Sequence, residues 1–249
     1  MNSVFRSVVT VLSSLALPAT LFAAEVVIEY KDSPDKSEAQ PLLDSGVLED
    51  GIGFINEAFT LKRDIKIILG AEDGPLYDPS TSEIHMPYHF YIEVLDRIAG
   101  LESDIEEQEL FANDAMLHTL YHELGHALVD QLELPVVGKE EDAVDGLASM
   151  LLLEYYEEGA SMAANAAELF ALEGEDRGKL EEADFWDEHS LDEQRYYSTL
   201  CHIVGSDPDK YQGMADDIGF SEDRVAFCEE SYERMVYDWE TLLDDSFRP

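Results

Sequence analysis

Two histidines one helical turn apart, inside a run of helical periodicity, constrain this chain more than any other feature. Leu117, Leu120, Tyr121, Leu124 and Leu128 recur at helical spacing and predict an amphipathic helix around "YHELGHALVD". On such a helix His122 and His126 share a face, so both imidazoles reach one metal ion. Glu123 points about 100° round the axis, away from the ligand position but within reach of a water at the metal. That arrangement suits zinc hydrolysis: the ion lowers the pKa of the water and Glu123, as general base, takes its proton. Gly125 costs a helix about 1 kcal/mol, which implies a packing or functional reason for it.

A catalytic zinc needs a third protein ligand, and "GKEEDAVD" supplies candidates. Leu134-Pro135 and Gly138 break the chain, and a second helix opens near Lys139. Glu141 and Asp145 lie four apart on one face of it, so Glu141 can ligate while Asp145 holds the outer nitrogen of a liganding histidine. Glu140 competes for the ligand role. His118 lies one turn before His122, but three histidines over two turns span about 12 Å, too far for one ion, so His118 is a packed or exposed residue.

The surrounding order predicts an α+β fold: a small N-terminal sheet, then a mainly helical body carrying the HExxH helix. Strands are expected at Glu25–Tyr30, Asp64–Leu69, Leu76-Tyr77 and Glu83–Met86, the last two around a turn at Asp78-Pro79-Ser80. "KDSPDKSEAQP" reads as an exposed loop, and residues 46–59 as a helix. From Tyr88 onward helices dominate, with later candidates at 161–172, 191–204 and 221–243. His85 is placed on an edge strand beside the cleft. "HIVGSDPDKY" marks a helix ending at Gly205 and a turn through Asp207-Pro208, and lacks the dense alternating ligands of a calcium loop.

Residues 1–24 carry one Arg, an apolar run and then small residues, the layout of a signal peptide cleaved after Ala23 or Ala24; the rival is an uncleaved anchor. Residues 25–249 then form a single domain, exported to a periplasmic or secreted location. Cys201 and Cys228 fit that address as one disulfide, the alternative being two buried thiols. The formal charge is −41, which repels nucleic acid and anionic lipid and leaves cationic substrates or metal ions as the partners it attracts. No further segment is long and apolar enough to span a membrane.

HELGH followed by E-x-x-x-D resembles the gluzincins, zinc peptidases of the thermolysin type, which implies a zincin-like fold around the HExxH active-site helix. More closely, "YDPSTSEIHMPYHF", "YHELGHALVD", "LPVVGKEEDAVD", "DEHSLDEQRYYSTLCHIVGSDP" and "RVAFCEESYERMVYDW" resemble an uncharacterised family of exported metallopeptidases classed as a domain of unknown function. The resemblance implies zinc held by His122, His126 and Glu141, Glu123 as base, Asp145 behind the ligands, and a peptide or protein substrate. In gluzincins an edge strand binds extended peptide by backbone addition, which implies the same for the segment of His85. His189 and Arg195 are similar in spacing to H-P-x-x-x-x-R of membrane-bound HExxH peptidases, where the histidine serves the oxyanion and the arginine the ligand carboxylates. Ser190 stands in place of that proline; either His189 or Arg195 is expected to assist at the oxyanion, with Tyr196 and Tyr197 as alternative donors. The competing class is a non-catalytic exported protein that holds metal or peptide on the same fold; a third is zinc hydrolysis of a different bond. Glu123 favours catalysis, because a purely metal-holding site has no use for an acid there.

Overall fold

The computed structural model describes residues 24–248. The expected signal peptide therefore lies almost entirely outside the described residues. The architecture is α+β, with a four-stranded sheet first and a helical body after it.

β1 (Val26–Tyr30), β2 (Ile65–Leu69) and β4 (Glu83–Met86) run parallel, and β3 (Leu76–Asp78) pairs antiparallel with β4, giving the order β1-β2-β4-β3. Strand alternation puts Ile65, Ile67, Leu69, Ile84 and Met86 on the buried side. β1 and β2 are joined through α1 (Gln40–Ser45) and α2 (Val47–Ala58), as parallel neighbours require a crossover. The stretch expected as an exposed loop is partly ordered, with a 3-10 turn at Pro34–Ser37 and α1 starting at Gln40. His85 does not sit at an edge: β4 lies between β2 and β3, and the edges are β1 and β3, of which β3 lines the cleft.

After α3 (Tyr88–Ile98) comes α4 (Ile105–Leu132), the axis of the molecule. Asp104 caps it by accepting from the Glu106 N–H at 3.0 Å. It ends where Glu133 adopts a left-handed conformation (φ 55°) ahead of Pro135. The expected amphipathic helix is longer and more enclosed than its apolar stripe suggests. From Phe111 to Leu128 nearly every residue is buried, polar Asp114, His118, His122 and Glu123 included. The reason is position: α2, α3, the sheet, α5 (Glu140–Tyr155) and α6 (Gly159–Arg177) surround it.

α7 (Asp192–Ser206), α8 (Gln212–Asp217) and α9 (Glu222–Leu243) complete the body. α7 packs on both α6 and α9, and the Cys201–Cys228 disulfide staples α7 to α9. Gly205 makes that contact possible, since a Cβ there would stand 2.3 Å from the Cys228 carbonyl oxygen. One contiguous apolar cluster runs through these layers from Val26 to Leu243. Among the described residues, no helix is long and apolar enough to cross a membrane.

Candidate metal centre and cleft

α4 presents His122 and His126 from adjacent turns with their rings 5.0 Å apart and their Nε2 atoms 3.3 Å apart. α5 meets them at its first turn, where a carboxylate is also favoured by the helix dipole. Glu141 Oε2 lies 3.2 Å from His122 Nε2 and 3.3 Å from His126 Nε2. The close crossing of α4 and α5 depends on Gly125: a Cβ there would stand 2.7 Å from Val144 Cβ.

The outer ring nitrogens fix the tautomers. His122 Nδ1 lies 2.7 Å from Asp145 Oδ1, and His126 Nδ1 lies 2.8 Å from Glu140 Oε1. An ionised carboxylate only accepts, so each Nδ1 donates and each Nε2 turns a lone pair inward. Two lone pairs and a carboxylate oxygen then converge with no donor among them. Glu141 Oε2 is buried and makes no hydrogen bond of acceptable geometry. Such a knot of acceptors requires positive charge at its centre. His122, His126 and Glu141 offer ligand atoms all within 4.8 Å of one another, so the residues present fit a metal ion.

The electrostatics agree. Burial disfavours a charged His122, but Asp145 and Glu141 outweigh it and push its pKa up to about 9. Burial likewise opposes ionisation of Glu141, yet the imidazoles of His122, His126 and His189 hold its carboxyl well below the usual range. Protons thus gather where a cation would otherwise sit. Glu123 is buried at the cleft floor, and burial raises its pKa against the opposing pull of the His122 and His126 imidazoles. A more basic carboxylate is a better proton acceptor near neutrality.

Glu140, the rival third ligand, stands on the outer side of His126 instead. Arg195 lies behind the centre and does not line the cleft. Its Nε and terminal nitrogen donate to Asp145 Oδ2 and Oδ1 at 2.7 and 2.8 Å, and its guanidinium stacks 3.9 Å from the Phe170 ring centre. The Nε edge of the Arg195 guanidinium is thereby committed to Asp145 and faces away from the oxyanion position that His189 shares. Burial opposes ionisation of Asp145, but Arg195 and His122 keep it far below the usual carboxylate range.

His189 reaches the front of the site, with Nε2 3.0 Å from Glu141 Oε2 and its ring nearly parallel to that of His122 at 6.2 Å. Tyr196 and Tyr197 do not line the cleft. His118 is fully enclosed, and burial pushes its pKa down to about 3, so it packs as a neutral ring.

A cleft of about 840 Å³ runs over these groups. Leu76 and Tyr77 of edge strand β3 form one wall, and residues 186–189 form the opposite one. Sequence reasoning missed Trp186, Lys139 and the Tyr77–Asp130 pair (2.8 Å) in this lining. Only the exposed aromatic near the His189 stretch hinted at the first.

The fold brings together on an HExxH helix a set of residues that could hold a metal ion. Residues 28–243 match the model of DUF4344, a family described as "Putative metallopeptidase", and the chain belongs to that family. Membership implies a metal and a peptide substrate at that level. No curated protein and no solved structure matches the chain.

Proposed function

We propose that this chain is an exported, zinc-dependent peptidase of gluzincin type. The observation that carries the reading is the unbonded Glu141 Oε2 facing the two inward Nε2 atoms of His122 and His126. A nitrogen, nitrogen, oxygen set of this kind suits zinc better than calcium or magnesium, which prefer oxygen alone. When bound, the ion supplies Lewis acidity, polarising a carbonyl and lowering the pKa of water.

The chain's own residues do the rest. Glu123 accepts the proton of the attacking water on its carboxylate and delivers it to the departing amine. His189 donates from the cleft wall to the developing oxyanion. Asp145 holds His122 in the tautomer that faces inward, and Arg195 holds Asp145. The free edge of β3 offers backbone groups to an extended peptide, which binds by strand addition. The disulfide supports export, since such bonds persist in oxidising compartments.

The test compares metal content and peptide-library cleavage for the wild type, His126→Ala and Glu123→Gln. One zinc per chain is expected in the wild type and Glu123→Gln, and none in His126→Ala. Cleavage is expected to be lost in His126→Ala and slowed by about 10²–10⁴-fold in Glu123→Gln. Stoichiometric zinc without cleavage of any peptide would leave a metal-holding protein. No stoichiometric metal after reconstitution would overturn the reading altogether.

A further inference from the structure

We propose that Lys139 is a positioning residue that straps segment 178–191 onto the start of α5 and so sets His189 against the metal centre. The kinetic part of this proposal rests on the peptidase reading; the structural part does not.

The segment lacks any apolar anchor. Between α6 and α7 nearly every residue from Gly178 to His189 is exposed, Phe185 and Trp186 among them at 68% and 71%. Its backbone bonds are internal, from Asp184 to Glu181, Phe185 to Glu182 and Trp186 to Ala183. Among the described residues, the hydrogen bonds and ion pairs joining 179–190 to the rest of the fold all come from Lys139 and Glu141, at the first turn of α5. Lys139 Nζ donates to the Asp187 carbonyl at 3.1 Å and to the His189 carbonyl at 2.8 Å. Glu141 Oε2 faces His189 Nε2.

The choice of partners is informative. Acidic residues outnumber Lys and Arg by 56 to 15, so a lysine here has carboxylates in abundance. Lys139 makes no ion pair among the described residues, although Glu140 follows it and Asp187 and Glu188 share the cleft lining. Its ammonium goes instead to two main-chain oxygens two residues apart, which fixes the turn between them. The second of those oxygens belongs to His189 itself. Fixing that carbonyl fixes the Cα from which the imidazole reaches the centre, while Asp187 Oδ1 accepts from the His189 N–H at 2.9 Å. Lys139 also directly precedes Glu140 and Glu141, so one short stretch carries the latch, the partner of His126 and the acceptor facing both histidines. A group held to within fractions of an ångström is what transition-state stabilisation needs.

The experiment places Lys139→Ala and Lys139→Arg in the Glu123→Gln background and measures chymotrypsin cleavage after Phe185, with zinc content alongside. Losing the two charge-assisted bonds, and keeping only the Glu141–His189 contact, is expected to speed cleavage by about tenfold. Lys139→Arg, which also offers several donors, should restore most of the protection. Zinc is expected to remain stoichiometric in both. In the Glu123 wild-type background, Lys139→Ala should lower kcat for peptide cleavage by about tenfold with a smaller change in KM. Unchanged chymotrypsin sensitivity in Lys139→Ala, or loss of zinc from it, would overturn the proposal. If the segment loosens as expected while the wild type cleaves no peptide, the strap stands and the peptidase reading falls. If the wild type cleaves peptide and the segment does not loosen, the reverse holds.

Discussion

Asp145 connects two groups that the chain separates by 50 residues or more of sequence on one side and by a helix crossing on the other. It accepts from His122 on one oxygen and from Arg195 on both. Replacing it with Asn leaves the shape but removes the charge that fixes the His122 tautomer and balances a buried guanidinium. Under the zinc reading, Asp145→Asn is expected to weaken metal binding by about 10–100-fold, measured by chelator competition. Unchanged affinity would show that Arg195 and Asp145 serve packing alone. A second buried acid behaves differently. Asp114 is 4% exposed, and burial lifts its pKa from 3.8 to about 6, with the Asn165 amide donating at 2.7 Å as partial compensation. A carboxyl whose folded pKa is raised contributes stability in its protonated form, fully below about pH 4, and that contribution is lost as pH rises through about 6. Asp114→Asn should therefore raise stability at pH 7.5 by roughly 1–3 kcal/mol and change little at pH 4. Urea titrations at the two pH values check this; an equal effect at both would point to packing instead of charge.

At the scale of elements, the centre exists because α4 and α5 cross closely enough for a first-turn carboxylate on one to meet two imidazoles on the other. Gly125 sets that distance. Gly125→Ala forces a methyl into Val144, so the helices must part or the side chain must shift, costing roughly 1–3 kcal/mol. The double variant with Val144→Ala should regain most of this in denaturant titration, and loss of zinc should track the single variant. If Val144→Ala gives no rescue, the backbone of α5 and not the valine is the limiting contact. Much of this crossing was legible beforehand: HExxH, the break at Pro135 and the E-x-x-x-D pair each have local signatures. The strands and most helices were legible for the same reason, since their residues repeat with period 2 or 3.6. What escaped depends on tertiary partners. The apolar stripe of α4 could not show that its polar residues would also be enclosed. Nothing local to "EIHM" says that β4 acquires a neighbour on each side. The choice between Glu140 and Glu141 was open in the sequence, since adjacent glutamates differ only in which side of a histidine they meet. Lys139 carries no motif, and its partners are main-chain atoms some fifty residues away.

Over the whole molecule, one number acts on stability and on turnover in opposite directions. A formal charge of −41 places carboxylates over the surface far in excess of the 15 Lys and Arg side chains. The ion pairs that do form at the surface, such as Arg234–Asp238 and Lys31–Glu29, are exposed and worth little each. Self-repulsion therefore outweighs attraction in the folded state, and salt relieves it by shortening the reach of each charge from about 30 Å at 0.01 M to under 10 Å above 0.15 M. The melting temperature is expected to rise by roughly 5 °C between 10 and 500 mM NaCl, and equally in KCl, because screening does not distinguish the two. The cleft shares the same field, with Lys139 as the one Lys or Arg in its lining among the described residues. Under the peptidase reading, that field draws in cationic peptides and resists anionic ones. Salt should then lower kcat/KM for a lysine-rich peptide, leave a neutral one nearly unchanged, and raise it for a glutamate-rich one. Stability and the cationic-peptide rate thus move oppositely along one salt titration. A melting temperature that falls with salt would mean that attractive pairs dominate the fold. Rates that move together for all three peptides would mean that salt acts on the enzyme's structure and not on encounter.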